Sequence, residues 1–220
     1  MLNLLFPRVC EGCGEILSQG EKLLCVECRH RIPLANFHNL DNDFLKNKFY
    51  GRFPVVNATA LIQFQKRGLT QELMHSLKYR GQKELSSFFG EWLGAELSEN
   101  PKYREINMVI PVPLHKQRLK KRGYNQVEGF GKELAKALEV PYRDDILVKI
   151  SKSGSQVFKT RILRFEAEAV FFNQKIEDVK DQHILLVDDI ITTGATLENC
   201  AIQLLKGENV KISIATIATT

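Results

Sequence analysis

Residues 184–196, Ile-Leu-Leu-Val-Asp-Asp-Ile-Ile-Thr-Thr-Gly-Ala-Thr, constrain the fold of this chain more than any other stretch. The continuous apolar run Ile184–Val187 has the pattern of a strand buried on both faces, and Leu197, Cys200, Ala201, Leu204 and Leu205 recur at helical spacing just beyond it. In open α/β sheets, ligands bind where such a strand gives way to a helix. Thr192, Thr193 and Thr196 supply hydroxyl donors there. Gly194 permits a backbone conformation that points successive N–H groups at one spot, and the helix dipole adds positive potential. A phosphate monoester fits this loop. Two adjacent carboxylates, Asp188 and Asp189, are tolerable beside that phosphate only with something between, and a ribose presenting two hydroxyls is a suitable spacer. The pair is read as accepting sugar hydroxyl hydrogen bonds or holding a metal ion. Taken singly, Thr-Thr-Gly-Ala-Thr is an N-cap and turn and Asp-Asp a strand terminus; joined between a buried strand and a helix they describe a ligand site. The loop lacks the lysine of a Walker A motif and the G-x-G-x-x-G of a dinucleotide fold.

The rest of the chain alternates in kind. Met108–Pro113 is a short apolar run bounded by prolines, a helix is expected from about Asn125 to Glu139, and Ile146–Ile150 resumes as strand. A polar segment, Ser151–Ser155, follows, and Val210, Ile212 and Ile214 alternate in a last strand. Taking turns in this way, strand and helix predict an α/β protein with a parallel, doubly wound sheet. Upstream, Ala58–Phe64 reads as a strand, followed by helices carrying Leu69, Leu73 and Leu77, then Leu85, Phe88, Phe89, Trp92 and Leu93. The expected organisation is a cysteine module over residues 1–33, a connector over 34–57 and the main domain over 58–220, with its core from about 107.

Cys10, Cys13, Cys25 and Cys28 form C-x2-C-x11-C-x2-C, a spacing in which each pair presents two thiolates from one turn. A tetrahedral, structural Zn(II) site is the expectation, against a redox pair, an iron centre or unliganded thiols. So few large apolar side chains over about 50 residues would otherwise lack a core. Cys200, alone on an apolar helix face, reads as packing. No window of about 18 apolar residues and no signal-peptide pattern are present, so the expected compartment is the cytoplasm, with no membrane segment.

The chain of 220 residues carries a formal charge of +5, and the stretch Lys116-Gln-Arg-Leu-Lys-Lys-Arg122 holds five positive charges by itself. Such a run is a solvated loop or helix end, a nucleic-acid patch or a pocket for a small polyanion.

Val187–Thr196 resembles the phosphoribosyl-pyrophosphate (PRPP) motif of type I phosphoribosyltransferases. Together with the cysteine module, Leu77-Lys-Tyr-Arg-Gly81, Ile110-Pro-Val-Pro-Leu-His115 and Arg122-Gly-Tyr-Asn-Gln126, it makes the chain similar to the ComF, or competence, family. The resemblance implies a type I phosphoribosyltransferase fold behind a zinc module, and PRPP bound with Mg(II). It further implies phosphoribosyl transfer to an unidentified nitrogen nucleophile with release of pyrophosphate. It places Asp188 and Asp189 at the catalytic centre and Thr192, Thr193, Gly194, Ala195 and Thr196 on the 5′-phosphate. Leu114, His115, Arg118, Arg122 and Asn125 fall on the pyrophosphate loop, Gln156 and Arg164 on a covering loop, and Lys78 and Arg80 on a family hallmark ahead of the core. His115 is a candidate acid or base as well as an incidental loop residue. Lys149, Ser153 and Ala167 stand where the family more usually has Arg, Thr and Asn. The same resemblance carries a second implication, a non-catalytic DNA-uptake factor whose partners are single-stranded DNA or a helicase.

Overall fold

The computed structural model describes residues 7–40, 43–149 and 171–220. In chain order the elements are helices α1 (Val26–Arg31) and α2 (Phe44–Asn47), strand β1 (Ala58–Gln63), helices α3 (Leu69–Tyr79) and α4 (Glu84–Glu99), and strand β2 (Met108–Pro111). Helices α5 (Lys116–Arg122) and α6 (Glu128–Ala137) follow, then strands β3 (Leu147–Lys149), β4 (Phe171–Asn173) and β5 (His183–Ile191), helix α7 (Ala195–Leu204) and strand β6 (Lys211–Thr219).

Four of the strands form one sheet in the order β1-β6-β5-β2, and every pairing in it is parallel. The apolar run of β5 explains its central place, because both faces must be covered. Leu185 and Val187 face a core shared with α3, α4, α6 and the cysteine module. Ile184 and Leu186 face a second core that contains Leu197, Cys200 and Leu204 of α7 with Phe49, Phe53 and Val55 of the connector. Helices on both faces of a parallel sheet are the expected doubly wound α/β architecture. On the first face α4 and α6 come close at Gly90, where a Cβ would lie 2.7 Å from the Phe130 carbonyl oxygen.

The first strand expected, Ala58–Phe64, is β1, and it joins this sheet at one end, beside β6. The strand expected at Ile146–Ile150 behaves differently. Its part within the described residues, β3, pairs antiparallel with β4 in a separate two-stranded sheet. The reason is that the outer edge of β2 is already taken: Val109 N donates to the Pro141 carbonyl and Arg143 N to the Val109 carbonyl, both at 2.9 Å. The basic run is neither a loop nor a mere helix end. It forms α5, opened by His115, whose Nδ1 accepts from the Gln117 N–H at 3.2 Å, and closed by Gly123 in the left-handed region at φ 80°. The helix expected from Asn125 to Glu139 is shorter, α6, because Asn125 Oδ1 accepts from the Val127 N–H in a local turn.

The cysteine module is knitted into the first core: Cys10, Leu24, Cys28 and Ile32 pack in one cluster with Leu61, Leu73 and Leu77. Arg29 of α1 lies over the Phe88 and Trp92 rings of α4, at 5.6 and 5.2 Å. The connector is anchored through His38, whose Nδ1 is 3.0 Å from Thr59 Oγ1 and whose Nε2 is 3.0 Å from Glu96 Oε2. Among the described residues, no helix is long and apolar enough to cross a membrane.

Candidate functional site

The site lies at the carboxyl end of β5. Asp188 and Asp189 are the last polar residues of the strand and both are buried. Asp189 is supported twice: Lys78 Nζ stands 3.1 Å from its Oδ2, and Gln126 Nε2 donates to the same oxygen at 2.8 Å. Gln126 is held in turn by Arg122, whose Nη1 donates to its Oε1 at 2.7 Å, and by Ser86, whose hydroxyl donates to its carbonyl at 2.7 Å. Asp188 Oδ1 accepts the Asp189 N–H at 2.8 Å. Burial pushes the Asp188 carboxyl up to about 8, the neighbouring Asp189 charge adds to this, and Lys78 and Lys149 pull the other way. The pair therefore carries less than two full negative charges near neutrality.

Beside Asp189 opens a cavity of about 420 Å³ lined by Lys78, Tyr79, Gly81, Arg118, Lys121, Arg122 and Tyr124. It gathers cations from two helices: Lys78 from the end of α3, and Arg118, Lys121 and Arg122 from one face of α5. The Arg122 guanidinium lies over the Tyr79 ring at 5.2 Å, and the Tyr124 hydroxyl donates to the Leu77 carbonyl, which ties the segment after α5 to α3. Lys149, at the end of β3, is held below the usual lysine range by burial first and by Arg118 next.

The loop 192–196 follows directly. Thr192, Thr193, Ala195 and Thr196 are exposed and Gly194 is buried at φ 75°, the left-handed conformation that lets α7 start at once. The Thr193 hydroxyl accepts the Ala195 N–H at 3.4 Å.

The expected residues thus divide. Asp188, Asp189 and the 192–196 loop are adjacent, and Lys78, Arg118 and Arg122 converge on the cavity next to them. Leu114 is half-buried at the exit of β2, and Asn125 donates through Nδ2 to the Val112 carbonyl at 3.2 Å, so it shapes this exit. His115 is committed to capping α5. Arg80 points elsewhere: its Nη2 is 3.5 Å from Glu72 Oε2, and its charge acts on Glu11 of the cysteine module. Gln156 and Arg164, with Ser153 and Ala167, lie outside the described residues. Sequence reasoning gave no role to Gln126, Tyr79, Tyr124, Phe49 or Arg52. Gln126 and Tyr124 had a signal in Arg122-Gly-Tyr-Asn-Gln126, and Tyr79 in Leu77-Lys-Tyr-Arg-Gly81, whereas Phe49 and Arg52 had none.

A second cluster joins the four cysteines. Their Sγ atoms lie within 4.8 Å of one another, with Cys13 and Cys25 3.8 Å apart. Metal–sulfur bonds of about 2.3 Å in a tetrahedron give S–S edges of about 3.8 Å, so the set fits a metal such as zinc. Cys10 Sγ accepts N–H bonds from Gly12 at 3.4 Å and from Cys25 at 3.3 Å, and Cys25 Sγ accepts one from Cys28 at 3.4 Å. Burial raises the Cys10 thiol, but backbone donors outweigh it and bring it to about 7, while burial and the neighbouring thiols hold Cys28 high; a bound cation would favour the thiolate form of the set.

The family model described as "Phosphoribosyl transferase domain" matches residues 128–220. The chain is 30% identical over 151 residues to Competence protein ComFC of Bacillus subtilis, covering 68% of this chain and 59% of that protein. It is 36% identical over 120 residues to Competence protein ComFC of Streptococcus pneumoniae, covering 54% of this chain and 50% of that one. These matches support a ComF-family, type I phosphoribosyltransferase-like protein. Its match spans little more than half the length of these relatives. Among solved structures, the glutamine PRPP amidotransferase of B. subtilis aligns at a TM-score of 0.43 and 18% identity, covering 64% of this chain and 30% of that one.

The raised Asp188 carboxyl has a consequence for stability. A carboxyl whose native pKa stands above its unfolded value keeps in the native state a proton the unfolded chain has lost, so its contribution to stability falls as pH rises from about 4 to about 8. Asp188→Asn in this chain is expected to remove that loss. Denaturant unfolding at pH 5 and pH 8 should show the variant gaining on the wild type at the higher pH; parallel curves would contradict the assignment.

Proposed function

We propose that this chain binds PRPP at the end of β5 and transfers its phosphoribosyl group to a nitrogen nucleophile, releasing pyrophosphate. The observation that carries the reading is Lys78 on Asp189 at 3.1 Å, one loop ahead of residues 192–196. Carboxylates for a ribose, a loop for its 5′-phosphate and a cationic cavity for a leaving pyrophosphate then stand side by side. In the reaction the bond between the anomeric carbon and the pyrophosphate oxygen breaks, its electron pair leaving with pyrophosphate. The nucleophile's lone pair forms the new C–N bond and its proton is released. Positive charge builds on the ribose as the bond breaks, and the Asp188–Asp189 pair stabilises it at short range. Lys78, Arg118, Lys121 and Arg122 attract the pyrophosphate, and Tyr79 and Tyr124 wall one side of its pocket. Mg(II), when bound, neutralises pyrophosphate charge and is held largely through substrate oxygens and water. The match of this sequence to phosphoribosyltransferase domains supports the reading. The four thiols are proposed to hold one structural Zn(II), and the compartment that reduced thiols suit is the cytoplasm.

A second reading rests on the geometry of α5. Arg118, Lys121 and Arg122 line the cavity, whereas Lys116 and Lys120 lie one turn apart on the opposite, exposed face. That outward pair suits a nucleic-acid phosphate backbone, in keeping with the competence names of the relatives, and leaves the cavity for its own ligand.

Three outcomes test these readings. Calorimetry with PRPP and Mg(II) is expected to show saturable binding at or below about 1 mM, the upper end of ordinary substrate constants. Asp189→Asn should then lower pyrophosphate release with a competent acceptor by roughly a hundredfold. A flat titration at that concentration rejects the enzyme reading. Lys116→Glu with Lys120→Glu is expected to flatten the salt dependence of single-stranded DNA binding by one to two counterions, at about 0.7 each, while Asp189→Asn leaves it unchanged. Salt-insensitive binding removes the second reading. Elemental analysis should find one zinc per chain, and a strong chelator should lower the melting temperature of the whole chain in one step, because Cys10 and Cys28 belong to the main core. A chelated protein with unchanged melting would reject a structural metal.

A further inference from the structure

Arg52 stands in the connector, 141 residues before the threonine it touches. Its Nη1 donates to the Thr193 carbonyl at 2.6 Å and to the Lys48 carbonyl at 3.3 Å. Its Nε donates to Glu198 Oε2 at 3.0 Å, and its Nη2 pairs with the same oxygen. The guanidinium lies over the Phe49 ring at 5.7 Å, and that ring is fully buried. Gly194 closes against both: a Cβ there would lie 2.5 Å from Phe49 Cε1 and 3.3 Å from Arg52 Nη1. The connector therefore packs on the outer side of the loop.

We infer that Arg52 is a positioning residue for the anion-binding loop 192–196: it fixes the Thr193–Gly194 peptide and neutralises Glu198. This rests on the reading of that loop as the PRPP phosphate site. The first part follows from peptide geometry. In a trans peptide the C=O and the following N–H point in opposite directions. With the Thr193 carbonyl held outward by Arg52, the Gly194 N–H is turned to the other side, the side away from the connector. Phe49 fills the space that a side chain at position 194 would need, so the connector packs directly against this peptide. The second part is electrostatic. Glu198 sits in the first turn of α7, where its N–H bonds the Gly194 carbonyl at 2.9 Å. A carboxylate there favours the helix dipole but repels a phosphate bound at the same end. Arg52 pairs with it in a half-buried geometry, with side chains 26% and 27% exposed, so the loop presents its amides to an anion without a bare negative charge beside it. Both effects act through residues 193–198, and Arg52 itself need not touch the ligand.

The test uses the full chain with Arg52→Gln, Arg52→Lys, Glu198→Gln and the Arg52→Gln/Glu198→Gln double variant, each first checked for wild-type circular dichroism and melting. PRPP affinity in the presence of Mg(II) is measured by calorimetry, and amide deuterium exchange of the peptide covering residues 192–198 is measured without ligand. Arg52→Gln is expected to weaken PRPP about tenfold, as loss of a charge-assisted hydrogen bond does, and to speed exchange of the loop amides. Glu198→Gln should bind at least as well as the wild type, and the double variant should recover part of the lost affinity, a rescue that a purely structural contact would not give. Arg52→Lys should fall between wild type and Arg52→Gln. A folded Arg52→Gln with unchanged exchange and unchanged affinity overturns the inference. If the wild type itself binds no PRPP, the phosphate reading fails while the exchange comparison still decides whether Arg52 orders the loop. If Arg52→Gln does not fold, Arg52→Lys and Glu198→Gln carry the comparison, and wild-type exchange and affinity in Arg52→Lys would overturn it.

Discussion

Two carboxylates at the end of a strand buried on both faces are the constraint around which the rest of this molecule is arranged. β5 is hydrogen-bonded on both sides, and Asp188 lies in register with Thr216 of β6, so the strand end cannot swing toward water. Leaving an ionised carboxylate in such a place costs several kcal/mol unless it is paired. Asp189 meets the cost with an ammonium and an amide, and Asp188 with a raised pKa and one backbone N–H. Each support then needs its own support. Gln126 can donate to Asp189 only while Arg122 holds its carbonyl oxygen, and the Ser86 hydroxyl that fixes Gln126 also accepts the Phe130 N–H at 2.8 Å. The consequence is a rigid network running from β5 through the start of α6 to α4, with the cationic cavity on its open side. A site so ordered before any ligand arrives loses little further freedom on binding.

Much of this was legible in the sequence, for reasons that are local. The run Ile184–Val187 had to be a buried strand, the turn at Gly194 had to precede a helix, and the paired cysteines had to converge, because each signal is contained within a few residues. The central sheet and the meeting of Asp188, Asp189 and loop 192–196 follow from those signals. What escaped depends on distance along the chain or on competition for an edge. Arg52 and Phe49 lie among Asn, Asp and Phe residues with no periodicity, and nothing local ties them to Thr193 or Gly194. β3 has the composition of a sheet strand, yet Pro141–Arg143 reach the edge of β2 first. Helix α5 had usable signals, since Lys and Arg are good helix formers and Gly123 is a C-terminal cap, but its clustered charge drew attention to what the run binds rather than to its shape. That Lys78 reaches Asp189 while Arg80, two residues on, turns away to Glu72 follows from the angular offset of neighbouring side chains at the end of α3.

The two halves of the site are buttressed from different faces of the sheet, and both buttresses come from the first sixty or so residues. On one face the cysteine cluster packs against α3: a Cβ on Gly12 would lie 2.5 Å from Leu69 Cδ1, and Cys28 shares a core with Leu73 and Leu77. The last turn of α3 carries Lys78, the ammonium that faces Asp189. On the other face the connector sets Phe49 and Arg52 against Gly194 and Thr193. An α/β sheet alone would leave both the start of the Lys78–Asp189 network and the back of loop 192–196 open to solvent, and loops so exposed sample many conformations. The N-terminal region covers both at once, the cysteine cluster serving in place of the hydrophobic core that so short a segment lacks. Order at the cysteines is transmitted by direct packing to the lysine on one side, and the chain that leaves them closes the loop on the other.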